Sequence, residues 1–150
     1  MKEHSVTTVI AVDPDHLLSF VADLTNDVKW RHDLALSELV SGHAGERGSD
    51  YRQKGVTPGR DDPYLIELVD VDRSGRIATF ATVDRRPVAF GGRYRIVDTG
   101  GGAEITFAVW VRAQGMLRLI APFMGKAVGK AVRANSERYL SDLRVLLEAT

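Results

Sequence analysis

Cysteine is absent from the chain, and disulfides, thiol nucleophiles and thiolate metal sites are excluded with it. The same absence fits a reducing compartment. An excess of charge of either sign is missing as well: Lys and Arg number 20, and Asp and Glu number 20. No global field draws such a protein toward nucleic acid or an anionic membrane, so neither is an expected partner. Long apolar runs are also lacking. The opening "MKEHSVTTVIAVDPDH" is broken by Asp13 and Pro14, and it reads as neither a secretory signal nor a membrane span. The expectation is a cytoplasmic protein with no stable membrane insertion. The four histidines, His4, His16, His32 and His43, form no HExxH and no pair at helical spacing, so no metal and no cofactor is expected. No G-x-S-x-G elbow appears, which removes the signature of a serine hydrolase.

What is present is a regular change of period along a chain whose 150 residues suit one domain, 1–150. "HSVTTVIAV" is β-branched and reads as a first strand. Asp13-Pro14 then supplies an N-cap with proline at the first helical position. Leu17, Leu18, Phe20, Val21 and Leu24 recur at helical spacing, and Thr25-Asn26-Asp27 can close that helix and cap a second short one reaching Trp30.

From Leu36 to Arg112 short apolar or alternating runs are separated by the turn segments "GHAGERG", "TPGRDDP", "DRSG", "DRRP" and "DTGGG". That spacing predicts six more strands in an antiparallel meander, with no room for crossover helices. In "AEITFAVWVR", Ile105, Phe107, Val109 and Val111 share one face, and Phe90, Tyr94 and Ile96 share the inner face of the strand before it, with Arg93 and Arg95 outward. After Gly115 the period turns helical again. An apolar stripe from Met116 to Leu147 predicts a loose first turn over 115–121 and regular helix thereafter, with Pro122 near its start. Within it, "GKAVGK" has the wrong glycine spacing for a phosphate loop. Gly125 and Gly129 instead let the helix approach the sheet or leave room for a ligand.

The order of elements, with "FVADLTNDVKW", "GGGAEITF" and "GMLRLIAPFMGKAVGKAVRANSERYLSDLRVLLE", resembles the START-like SRPBCC superfamily and its bacterial polyketide cyclase/dehydrase branch. The resemblance spans nearly the whole chain. It implies an α+β helix-grip fold: a seven-stranded curved antiparallel sheet wrapped around a long C-terminal helix, with two short helices between strands 1 and 2. It also implies a deep cavity that takes hydrophobic small molecules, in proteins that range from enzymes to carriers.

On that footing the expected ligand-binding wall is Trp30, Tyr51, Tyr64, Phe90, Tyr94, Phe107, Met116, Leu119 and Phe123, an aromatic and methionine lining with few polar anchors. Trp30 either closes the cavity mouth, with Arg31 and His32 near water, or packs the helix pair against the sheet. The leading expectation is binding, transport or sequestration of a lipid, polyketide or quinone. The alternative is a cofactor-independent cyclase or dehydratase that uses a tyrosine or Glu67 as acid and base, with Arg or the Trp N–H steadying an enolate. Glu67 serves only if its strand turns it inward. A third reading makes the basic helix face, Arg118, Lys126, Lys130, Arg133 and Arg138, a docking surface for a partner. The chain is expected to be a monomer or a homodimer.

Overall fold

The computed structural model describes residues 3–56, 63–83, 88–113 and 121–149, the side chains of 121–124 excepted. The elements follow one another as β1 (Glu3–Ile10), α1 (Pro14–Ala22), a 3-10 helix (Leu24–Lys29), β2 (Leu34–Ser41), β3 (Asp50–Gly55), β4 (Tyr64–Asp72), β5 (Ile77–Thr82), β6 (Val88–Asp98), β7 (Ala103–Ala113) and α2 (Ala121–Glu148). All seven strands form one antiparallel sheet in the order β1-β7-β6-β5-β4-β3-β2, so the first strand closes back beside the last. This is the helix-grip architecture that the periodicity and the family resemblance predict. Most of "TPGRDDP", "DRRP" and the expected loose turn lie outside the described residues.

The sheet curves because its strands carry bulges and small residues. In β4 the pairing with β5 slips between Leu68 and Asp70, and β2 is irregular at two places along β3; such insertions bend the bulged strand. Gly91 and Gly92 of β6 serve opposite faces. A Cβ on Gly91 would strike the Trp110 ring on the outer face, and one on Gly92 would lie 2.5 Å from Phe80 Cζ on the inner face. Two aromatic rings thus lie against the backbone where any side chain would push them off.

The start of α1 follows the sequence pattern: the Asp13 side chain accepts from the His16 N–H at 3.0 Å, and Pro14 opens the helix. The second short helix differs from expectation. Its cap is Asp23, whose Oδ1 accepts from the Thr25 N–H at 3.1 Å and the Thr25 hydroxyl at 2.7 Å, and the segment winds as a 3-10 helix. Helix α2 packs chiefly on β1. Its Gly129 faces the His4 ring, and Glu148 at its far end accepts from the Ala11 N–H at 3.0 Å. The core comprises Leu17, Leu18 and Val21 of α1, Leu140, Leu143 and Leu147 of α2, and the inward residues of the sheet, among them Ile66, Leu68, Ile96 and Ile105.

Candidate functional site

A 3-10 helix has three residues per turn, so side chains at i and i+3 eclipse. Leu24, Asp27 and Trp30 therefore share one side, and all three are buried. Asp27 is carried inward by that geometry alone: an aspartate 1 % exposed between two core apolar residues. Its backbone carbonyl accepts from the N–H groups of Trp30 at 3.2 Å and Arg31 at 2.8 Å, which ends the helix. Arg31 is buried in turn, 7 % exposed, contrary to the expectation that it stays near water. Its Nη1 lies 3.5 Å from Asp27 Oδ2, its Nε lies 4.0 Å from Asp33 Oδ1, and its guanidinium carbon sits 5.0 Å from the centre of the Tyr139 ring. Two carboxylates and an aromatic face hold the cation in place of water. His32 remains at the surface, its ring 5.3 Å from Tyr139 and its Nδ1 3.9 Å from Asp142.

The strands complete a polar seam. Gln53 is fully buried on the inner face of β3, where its amide donates to Asp27 Oδ2 at 2.9 Å and to the Ser37 hydroxyl at 3.1 Å. Its carbonyl accepts from the Tyr64 hydroxyl at 3.0 Å. The Ser37 hydroxyl donates in turn to the Leu24 carbonyl at 2.6 Å, tying β2 to the 3-10 helix. Burial pushes the Asp27 carboxyl up to about 7 against the opposing pull of Arg31 and Gln53. Burial also works against the charge on Arg31, but Asp27, Tyr94, Asp33 and Tyr64 outweigh it and hold the guanidinium protonated. The hydroxyls of Tyr94 and Tyr139 are raised above the usual phenol range, first by burial.

Beside this seam a cavity of about 240 Å³ opens between α2 and the inner face of the sheet. Its walls are Tyr64, Phe80, Val88, Phe90, Phe107, Val109 and Val111 from the strands, and Val132, Asn135, Ser136 and Tyr139 from α2. Arg31 and Asp33 border it from the segment after the 3-10 helix. Tyr64 meets Phe90 edge to face at 5.3 Å. The lining is mainly apolar with a few convergent polar groups, the composition of a small-molecule site.

The expected wall residues divide three ways. Tyr64, Phe90 and Phe107 border the cavity. Trp30, Tyr51 and Tyr94 are in the packed core instead. Trp30 sits edge-on to Tyr94 and Tyr139, each 6.2 Å away, so it packs the 3-10 helix into the interior and does not stand at the mouth. Tyr94 stacks on Phe107 at 4.8 Å and so backs the cavity wall. Tyr51 turns away, its hydroxyl accepting from the Gly45 N–H at 2.9 Å. Met116, Leu119 and the Phe123 side chain lie outside the described residues.

Glu67 alternates with the fully buried Ile66 and Leu68, so it faces outward and does not reach the cavity. Among the described residues no three His, Cys, Asp or Glu side chains gather as a metal site would require. No helix there is long and apolar enough to cross a membrane. Sequence reasoning missed Asp27 and Phe80, whereas Gln53 is among the strand polar groups that the sequence offers as able to point inward. The i, i+3 spacing of Leu24, Asp27 and Trp30 was the available signal for the first.

The family model for "Polyketide cyclase / dehydrase and lipid transport" matches residues 1–148. No curated protein matches the sequence. Among solved structures, the chain superposes on the di-domain ARO/CYC BexL from the BE-7585A biosynthetic pathway with a TM-score of 0.77 and 20% identity. The match covers 99% of this chain and 47% of BexL, so the chain spans about half the length of that protein. TTHA0849 from Thermus thermophilus gives a TM-score of 0.78 at 17% identity over 99% of this chain and 100% of the other. Ginseng major latex-like protein 151 from Panax ginseng gives 0.70 at 12% identity over 96% of this chain and 95% of the other. The chain belongs to the polyketide cyclase/dehydrase and lipid-transport family.

Proposed function

We propose that this member of the polyketide cyclase/dehydrase and lipid-transport family binds a hydrophobic small molecule such as a lipid, polyketide or quinone in the cavity between α2 and the sheet. The observation that carries the reading is the lining itself: Phe80, Phe90, Phe107, Val88, Val109 and Val111 on one side, with the buried Arg31 guanidinium at the edge. A space walled that way favours an apolar occupant by roughly 25 cal/mol for each Å² removed from water, while Arg31 and Tyr64 orient its polar end. Tyr94 and Trp30 serve as packing behind the wall. In this reading the protein works as a single domain in the cytoplasm, as a monomer or homodimer, without nucleic acid.

Native mass spectrometry of gently purified protein, followed by solvent extraction, tests the proposal. The expected result is a discrete hydrophobic adduct that is lost from Val109→Phe, a variant that narrows the cavity. Absence of any adduct, together with a melting temperature unmoved by lipids, quinones, sterols and aromatic polyketides, would overturn it.

A second reading, a cofactor-independent cyclase or dehydratase in the same cavity, is favoured by the convergence of Arg31, Tyr64 and Tyr139 on one space. Tyr64→Phe and Tyr139→Phe separate the two. An enzyme loses turnover of a candidate polyketide while retaining affinity for it, whereas a carrier has no turnover to lose.

A further inference from the structure

Arg31 is a buried cation with loose partners. Among the described residues its Nε and Nη1 have no hydrogen-bond acceptor, and the carboxylate oxygens nearest to them stand at 4.0 and 3.5 Å. A guanidinium taken out of water in this way is costly unless its donors are satisfied. It borders an apolar cavity, and a guanidinium with unsatisfied donors favours an anionic oxygen as partner.

We propose that the ligand of this cavity carries an anionic oxygen headgroup, a carboxylate or an enolate, that docks on Arg31, and that the Asp27 carboxyl completes its protonation from solvent as the headgroup arrives. The proposal rests on the reading of the cavity as an apolar ligand site. Charge count supplies its second half. Asp27, Asp33 and the headgroup make three anions around one cation. Asp33 has its side chain 45% exposed, whereas Asp27 is buried and its charge is disfavoured by that burial.

The groups facing this pair come from every neighbouring element. They are Asp23 from the cap of the 3-10 helix, the neutral Gln53 amide from β3, Tyr64 from β4, Tyr94 from β6 and Tyr139 from α2. His32 and Asp142 lie on the outer side of Tyr139, half-exposed. Burial holds the phenols of Tyr94 and Tyr139 neutral, and the negative charge of Asp23 and Asp33 raises the affinity of Asp27 for a proton. Since the Asp27 carboxyl titrates at about 7 in the empty site, a further rise on binding makes affinity for the anion fall as pH climbs above that value and leaves it flat below.

Calorimetric titration of the full chain with 2-naphthoate and its neutral analogue 2-naphthamide decides the matter. In phosphate and in Tris buffer near neutrality, 2-naphthoate is expected to bind about tenfold tighter than the amide. Its heat should differ between the two buffers by the proton uptake, with no such difference for the amide. Asp27→Asn should keep the anion preference and lose the buffer dependence. Equal affinities, or a naphthoate heat independent of buffer, overturn the proposal and leave the apolar site standing. Failure of both probes to bind overturns the site with it. The wild-type buffer comparison needs no variant to fold.

Discussion

The two halves of α2 carry the same helical period and do different things. Beyond Tyr139, which still borders the cavity, Leu140, Leu143 and Leu147 are buried in the hydrophobic core. One and two turns earlier, Val132, Asn135 and Ser136 face open space, with Phe80, Phe90 and Val109 across it. An amphipathic stripe therefore marks which face of a helix turns inward without saying whether anything fills the interior it faces. In this chain the downstream half packs into the core and the upstream half borders the cavity.

The largest way to break that contrast is to damage the half packed in the core. Leu143→Ala should cost about 2 to 5 kcal/mol of stability, read by denaturant unfolding, with probe affinity of the folded fraction unchanged. If affinity falls with it, the two halves are not separable.

Next in size is the pH dependence set by Asp27. Its carboxyl is raised from 3.8 in the unfolded chain to about 7 in the fold, so between those values the folded state holds the extra proton. Stability from this group is therefore full below the lower value, declines as pH rises through the window, and is constant above it. The difference between wild type and Asp27→Asn, melted across that range, should show this slope, and a flat difference contradicts it.

Glycines sharpen the comparison along α2. A methyl on the exposed Gly125 meets nothing within 4 Å, so Gly125→Ala should stabilise by about 0.5 to 1 kcal/mol. At Gly129 the added Cβ would lie 2.6 Å from the His4 ring, and the same substitution should gain less or destabilise. Smallest of all, Glu67→Gln on the outer face should change probe binding not at all and stability by under about 0.5 kcal/mol.

Much of the architecture could be read from the sequence because it rests on period and punctuation. Asp13-Pro14 announces α1, and alternation in Ile105, Phe107, Val109 and Val111 sets the inner face of β7. The site was less legible. Helical spacing is the usual guide to a short segment between a cap and a tryptophan, but this one winds with three residues per turn, and that shift carries Asp27 inside. Arg31 reads as a surface cation because a lone charged residue usually is one; its burial depends on Asp27 and on Tyr139, far along the chain. Tyr51 and Tyr94 look like pocket aromatics by type, yet a hydroxyl committed to Gly45 and a ring stacked on Phe107 make them core. Glu67 was undecided until the parity of β4 was visible.

The most direct test of the central claim is methyl NMR of the full chain during titration with 2-naphthoate. The account predicts shifts confined to Val88, Val109, Val111 and Val132, with Leu143 and Leu147 unmoved. Shifts concentrated at the outer-face Val9 and Val97, or spread evenly along both halves of α2, would contradict it.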